Sequence, residues 1–268
     1  MNPFLLVIIL GIVEGVTEFL PVSSTGHMIL VEKFINSPYV TKAFMDNFLI
    51  IVQLGAILSV VIYFWNDIHP FVKSKEVFAQ RLNLWSKVIV GVMPAGVLGL
   101  LLDDYITEFF LGNTTVVAIT LILYGIIFCF IEGKIKKANP ITKIEDIPYK
   151  LALAVGFFQC LAMIPGTSRS GSTIIGALLL GLAKGVAAEF SFFLAIPTMM
   201  GATLLKVVKN GLSFTPLEWQ LLGIGFVVSF IVAYVVIKWF MGYIKTKTFR
   251  LFGIYRIILG ILVLLFLR

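Results

Sequence analysis

The sequence predicts an all-α polytopic membrane protein in which six transmembrane helices accompany two re-entrant helical hairpins, arranged as an inverted-topology repeat. Three observations carry this reading. Of the 268 residues, 59% are hydrophobic and only 13% charged, against about 45–50% and about 25% in a soluble domain. Two long apolar stretches are broken at their centres by proline and small hydroxyl residues. Lysine and arginine are distributed unevenly between the loops.

An apolar excess of this size exceeds what a water-soluble core of this length can hide, so lipid is the solvent. Backbone groups in lipid must bond internally, and no ten-residue alternating pattern is present, so the spans are helices. Six stretches read as full crossings, at roughly 44–64, 86–102, 115–132, 187–208, 218–240 and 251–267. The start, Met1 to Leu10, lacks a positive region, and Glu14 and Glu18 interrupt the apolar run, so it does not read as a cleaved signal peptide. Cys129 and Cys160 sit in apolar segments and are expected to be buried free thiols. The net charge of +7 could suggest nucleic acid. Its lysines are scattered between spans, which is the pattern of a topology signal instead.

Residues 3–34 and 150–182 differ from the six spans. They are interrupted by Pro21-Val-Ser-Ser-Thr-Gly and Pro165-Gly-Thr-Ser-Arg-Ser-Gly. Proline followed by hydroxyl residues ends one helix and caps the next, so both stretches read as hairpins that enter and leave on one side. Irregular backbone at that depth is tolerated only where protein or a water-filled cavity covers it. With this arrangement loops 66–87, 133–150, 183–186 and 238–250 share a face and carry 14 lysines and arginines. The other face carries five: Lys33, Lys42, Lys206, Lys209 and Arg268. That asymmetry makes the first face cytoplasmic and leaves Arg169 and Arg256 within the membrane. The hairpins then enter from opposite faces. Pro21-x-Ser-Ser aligns with Pro165-x-Thr-Ser, and Gly55-Ala56-x-Leu58 with Gly201-Ala202-x-Leu204. The chain is thus a single integral membrane domain, 1–268, with repeat halves of approximately 1–132 and 150–268, and the two breaks meet near the midplane.

Ionisable residues within a membrane are costly and point to function. Glu14 and Glu18, four apart, lie on one helical face. Two adjacent carboxylates repel unless one keeps its proton or a cation lies between them, and an all-oxygen site suits Mg2+ or Ca2+. The alternative is pairing with Arg169 or with lysines. Ser23, Ser24 and Thr25 precede an apolar run, with His27 three positions after Ser24. An N-cap explains one hydroxyl; the remainder suggests a nucleophile, Ser24, beside an acid or base, His27. In the second hairpin Gly166, Thr167, Ser168, Arg169 and Ser170 surround a side chain that cannot shed its charge and needs anions: Glu14 or Glu18 when empty, phosphate when occupied. Two helix N-termini, an arginine and a divalent cation would together bind phosphate.

Lesser features carry less. Gln53 and Gln159 read as helix–helix hydrogen-bonding groups, with a place in the cavity as the alternative; Glu189 reads as a helix-start charge or a functional group. Asp103, Asp104 and Glu108 read as a solvated external loop, and His69 as exposed. No Walker loop, dinucleotide fingerprint or zinc-spaced set is present.

The segments from Glu14-Gly-Val-Thr-Glu to Ser-Thr-Gly-His27, and from Pro165 to Gly171, together with Gln53-Leu-Gly-Ala and Ala188-Glu-Phe-Ser191, resemble the bacterial undecaprenyl-diphosphatase, or bacitracin-resistance protein, family. The resemblance spans the whole chain. It implies hydrolysis of undecaprenyl diphosphate to undecaprenyl phosphate, recycling the carrier lipid for cell-wall assembly. It also implies a divalent-cation requirement and a multi-pass protein of the bacterial plasma membrane with its site open to the outer face. By the same resemblance Glu14 and Glu18 would be metal-linked or catalytic, and Ser24 the favoured nucleophile with His27 as partner. Arg169 would hold the phosphates, assisted by Thr167, Ser168 and Ser170. Histidine or a metal-activated water as nucleophile remains an alternative. The expected partners are a polyprenyl diphosphate and membrane lipid, with a homodimer left open and nucleic acid absent. Two other classes compete: a lipid-phosphate transporter, because broken helices in an inverted repeat suit one, and a non-catalytic scaffold, which has no reason to bury two glutamates and an arginine.

Overall fold

A computed structural model of the chain describes residues 1–266 apart from 36, 38, 39, 111, 112, 135–139 and 212. Lys136, Lys137 and Arg268 of the charge count lie outside the described residues, as do the side chains of Lys33, Lys134, Asp103, Asp104 and Glu108.

The chain is helical almost throughout: α1 (Pro3–Thr17), α2 (Ser24–Phe34), α3 (Lys42–Tyr63), the short α4 (Trp65–Ile68), α5 (Lys75–Phe109), α6 (Thr114–Lys134), α7 (Tyr149–Cys160), α8 (Arg169–Leu179), α9 (Lys184–Asn210), α10 (Pro216–Thr246) and α11 (Arg250–Phe266). No strand is present among the described residues; one isolated bridge joins Ile141 to Leu182. Helix starts follow local chemistry. Asn2 caps α1 ahead of Pro3, Thr41 caps α3, Ser74 caps α5, and Thr215 with Glu218 forms a reciprocal capping box on α10.

Among the described residues five helices are long and apolar enough to cross a membrane: α3, α5, α6, α9 and α10. The sixth expected span is α11, whose described part has 17 residues and a length of about 25 Å. The expected span at 86–102 is instead the middle of the 35-residue α5. The supposed external acidic loop holding Asp103, Asp104 and Glu108 is therefore helix, because Leu100, Leu101 and Leu102 run into that acidic stretch with no breaking residue before Phe109. Both interrupted stretches are interrupted in the structure too. The first breaks between Thr17 and Ser24, the second between Cys160 and Arg169 with a 3-10 turn at Leu161–Met163.

The helices pack reciprocally. α1 lies against α10 as α7 lies against α5; α3 contacts α10 as α9 contacts α5; α3 meets α9 and α6 meets α11. Glycines permit the closest of these approaches. A Cβ on Gly125 of α6 would stand 2.7 Å from the Gly253 carbonyl oxygen of α11, and one on Gly253 would stand 2.6 Å from that of Gly125. On α3, a Cβ at Gly55 would run into the Phe226 carbonyl oxygen of α10. Small residues at such contacts let helix backbones meet directly in lipid.

Gly55→Ala should therefore force α3 from α10 and lower stability by about 1–3 kcal/mol. Gly242→Ala, where a Cβ meets nothing within 4 Å, should be neutral or stabilising. Thermal unfolding of the two variants in detergent checks the contrast, and equal melting points would contradict the α3–α10 contact.

Candidate active site

The two breaks are built alike. α2 is capped by Ser23, which has φ 75° and whose hydroxyl oxygen accepts the Gly26 N–H at 3.3 Å. α8 is capped by Ser168, with φ 77°, whose hydroxyl oxygen accepts the Gly171 N–H at 3.1 Å. A positive φ is rare for a residue with a Cβ and marks stored strain. The structural counterpart of Ser168 is thus Ser23, not the Ser24 that alignment of the two prolines suggests. The second break holds one more residue between proline and cap, and Gly166 takes up the extra turn with φ +87°. The register shift makes Ser24 and Arg169 equivalent, each the first residue of its helix.

Both residues bond the same carboxylate. Ser24 Oγ donates to Glu18 Oε2 at 2.6 Å, and Arg169 Nη2 donates to Glu18 Oε1 at 3.0 Å. Glu18 is buried, and the Arg169 side chain is only 11% exposed. Arg169 is further held by its Nη1, which donates to the Ser191 carbonyl of α9 at 2.8 Å. Ser191 Oγ in turn pairs with Thr173 Oγ1 at 2.6 Å. Ser170 Oγ ties the breaks together from α8, donating to the Glu18 and Leu20 carbonyls at 3.1 and 3.0 Å.

His27 does not meet Ser24, as their spacing had suggested. Its Nδ1 lies 2.7 Å from the Ser23 carbonyl and must carry a proton to bond it, which leaves Nε2 to accept from Tyr255 Oη at 2.5 Å. The imidazole stacks parallel to the Tyr255 ring, 5.6 Å between centroids. A residue one turn into a helix points back along it, and here that direction leads to the cap carbonyl, while Ser24, at the helix's first position, faces Glu18.

Glu18, Ser23, Ser24, Thr25, Gly166, Ser168 and Arg169 line one polar cavity of about 120 Å³, together with Gln53, Ala162, Pro165 and Met199. Thr167 and Ser170 are buried beside it and do not line it. Glu14 is buried one helical turn from Glu18; its carboxyl interacts with that of Glu18, and its Oε1 has no hydrogen-bond partner. Among the described residues no three His, Cys, Asp or Glu side chains gather, so the available donors for a cation are these two carboxylates. An unbonded, buried carboxylate oxygen next to a second carboxylate suits a hard cation that completes its shell with water and phosphate oxygens.

Adjoining the polar cavity is an apolar groove of about 420 Å³ between α5, α7 and α9, lined among others by Val92, Leu100, Met163, Pro197 and Leu205. Arg169 and Ala162 belong to both. Gln159 joins α7 to α9 through Nε2 and Thr198 Oγ1 at 3.1 Å, and also lines the groove. Glu189 lies elsewhere, in a separate cavity of about 170 Å³ with Asp67, Arg81 and Glu145. His69 is half-buried under Trp65 and bonded by Arg81 rather than freely exposed. Both cysteines are free thiols, half-buried.

Sequence reasoning placed Arg256 in the membrane without a role, named Ser191 only within the Ala188-Glu-Phe-Ser191 segment, and passed over Tyr255 and Thr120. Arg256 is fully buried and donates to the carbonyls of Pro21 (3.1 Å), Gly166 (2.7 Å) and Thr167 (3.0 Å). Thr120 Oγ1 donates to the Pro165 carbonyl at 2.7 Å. An intramembrane charge was the available signal for Arg256, and the motif segment that for Ser191; nothing in the spacing signals Tyr255 or Thr120.

The family model described as "Bacitracin resistance protein BacA" matches residues 7–262. A protein of Fusobacterium nucleatum subsp. nucleatum named undecaprenyl-diphosphatase is 61% identical over 265 residues, covering 98% of this chain and 100% of that one. Undecaprenyl-diphosphatase 1 of Clostridioides difficile is 54% identical over 259 residues, covering 96% and 93%. An Enterococcus faecalis undecaprenyl-diphosphatase is 52% identical over 264 residues, covering 97% and 95%.

Because Glu18 is the shared acceptor, Glu18→Gln and Arg169→Gln should not add. Each single change leaves its partner poorly matched in a low-dielectric site, and the double change removes the mismatch. A double-mutant cycle on thermal stability should give a coupling of about 1–3 kcal/mol; additive losses would mean that the ion pair does not hold the hairpins together.

Proposed function

The chain belongs to the bacitracin resistance protein BacA family, and from that premise we infer that it hydrolyses undecaprenyl diphosphate to undecaprenyl phosphate and inorganic phosphate, an activity that confers bacitracin resistance. The observation that carries the reading is the pair of adjoining cavities. A polar pocket that ends on Arg169 suits a phosphorylated head, and the apolar groove that starts at the same arginine suits the beginning of a polyprenyl chain. A multi-pass membrane protein is where such a substrate would be met.

In our reading α3, α5, α6, α9, α10 and α11 cross the membrane, and α1–α2 and α7–α8 are re-entrant. The lengths support this: each hairpin helix has 15 residues or fewer, short of the roughly 20 needed to cross. The reciprocal packing of the two halves supports an inverted repeat. The excess of positive charge in loops 66–87, 133–150, 183–186 and 238–250 supports a site open to the outer face of the plasma membrane.

The reaction we propose starts from the pocket's ion pair. An incoming diphosphate competes with Glu18 for Arg169, and the guanidinium moves onto phosphate oxygens. That frees Glu18 to take the proton of Ser24, already hydrogen-bonded to it at 2.6 Å. Ser24 Oγ attacks the terminal phosphorus, the bond from that phosphorus to the bridging oxygen breaks, and undecaprenyl phosphate departs. The departing undecaprenyl phosphate takes that proton back from Glu18. Water then attacks the phosphoserine, one of its protons passing by way of Glu18 to Ser24 Oγ as the bond from phosphorus to the serine oxygen breaks, and inorganic phosphate leaves. Glu14 and Glu18 would hold a divalent cation, Mg2+ or Ca2+, whose contribution when bound is to neutralise charge on the phosphate oxygens. His27, bonded to the Ser23 carbonyl and Tyr255, fixes the cap of α2 beside the nucleophile.

Purified protein given a polyprenyl diphosphate should release inorganic phosphate. Ser24→Ala, Glu18→Gln and Arg169→Ala should each lower kcat/KM by about 100-fold or more, and His27→Ala by less. A phosphorylated residue other than Ser24, or near wild-type turnover by Ser24→Ala, would overturn the serine assignment. Wild type that releases no phosphate but moves lipid across vesicles would return the transporter reading. Chelation should abolish turnover and added Mg2+ or Ca2+ restore it; activity indifferent to chelator would remove the cation from the site.

A further inference from the structure

Arg256 is a cation with no exposed surface, and among the described residues it has no carboxylate partner. Burying an unpaired guanidinium is costly, and five backbone carbonyls are spent on it: Pro21, Gly166 and Thr167, with Thr120 and Leu121 at 3.5 Å. Three of the five belong to the two breaks, one in the first hairpin and two in the second.

We propose that Arg256 is a positioning residue for phosphate binding: it gathers the break carbonyls of both hairpins on its own side, so that the Ser168 N–H faces the pocket. The proposal rests on the phosphatase reading and names a further binding group for the same substrate. In a trans peptide the N–H points opposite to the C=O of the preceding residue, and no peptide bond among the described residues is cis. Arg256 holds the Gly166 carbonyl at 2.7 Å and the Thr167 carbonyl at 3.0 Å. The N–H groups of Thr167 and Ser168 are therefore turned away from it. The Thr167 N–H is already bonded to the Ile164 carbonyl at 3.2 Å. The Ser168 N–H has no such bond among the described residues, and Ser168 and Gly166 line the pocket whereas Arg256 does not.

Electrostatics favours the same orientation. A helix break exposes carbonyls as readily as amides, and carbonyl oxygens facing a diphosphate would repel it. Drawing those oxygens toward a fixed cation presents the positive ends of the peptide dipoles to the substrate. A second effect follows from α11 carrying both Tyr255 and Arg256. One helix holds His27 of the first hairpin and the tips of both, so the amides stay in register with Ser24.

The test compares Arg256→Gln and Arg256→Lys with wild type, purified in detergent and checked for monodisperse elution and melting temperature. The readouts are kcat, KM and inhibition by inorganic pyrophosphate. Folded Arg256→Gln should bind pyrophosphate about 10-fold or more weakly, with kcat/KM down about 100-fold. Arg256→Lys, which keeps the charge, should recover part of both. A purely structural role would lower melting temperature and leave pyrophosphate inhibition and KM unchanged, which would overturn the proposal. Should neither variant fold, replacing Ser168 by its α-hydroxy acid exchanges that N–H for an ester oxygen and weakens the Thr167 carbonyl that Arg256 bonds; weaker pyrophosphate inhibition supports the proposal and unchanged inhibition ends it. A wild type without phosphatase activity would fail the underlying reading instead, and is distinguishable because it concerns no variant.

Discussion

The arrangement depends on a single carboxylate. Glu18 is buried at the end of α1, and its two oxygens are taken by the first residues of two different helices, Ser24 of α2 and Arg169 of α8. In a low-dielectric interior an unpaired guanidinium or carboxylate is costly, so neither hairpin can withdraw without stranding a charge. Ser170 reinforces the junction by bonding the backbone just past Glu18. The same bond set that fixes the hairpins places a hydroxyl on a base and a cation beside both. One contact thus joins a hydroxyl, a carboxylate and a guanidinium from three helix ends.

A second constraint is the backbone. Interrupting helices inside a packed protein leaves carbonyls that need partners, and each break is solved by side chains from elsewhere. Thr120 takes the Pro165 carbonyl, Arg256 those of Pro21, Gly166 and Thr167, and the caps Ser23 and Ser168 take helix amides in a strained conformation. α11 can deliver Arg256 because Gly125 and Gly253 let it lie directly on α6. The strain at the two serines is held by the packing around it, as at other functional sites.

The two halves are built alike and used differently. Corresponding positions at the helix starts carry Ser24 in one break and Arg169 in the other, so a repeated frame sets a hydroxyl and a guanidinium on the two oxygens of Glu18. The apolar groove reaches this junction on the α5–α7–α9 side, an asymmetry that lets an amphiphile lie with its head at the breaks and its chain along helices.

Composition and hydropathy were enough to establish a helical membrane protein, and prolines followed by hydroxyl residues were enough to locate both breaks, because these are local properties of the chain. The residues of the pocket were legible for a similar reason: charge inside an apolar run is visible wherever it folds. The bonding partners were not. Spacing offered His27 to Ser24, but the direction of a side chain at a helix start sent His27 to the Ser23 carbonyl and Tyr255. Proline alignment paired Ser24 with Ser168, while the backbone paired Ser23 with it, since one glycine with positive φ absorbs a residue without a sequence signature. Thr120, Tyr255 and Arg256 entered the site only through helix crossings. Local periodicity determines which face of a helix is polar; which distant helix that face meets is decided by the close approach of glycine-lined backbones and by the pairing of buried charge.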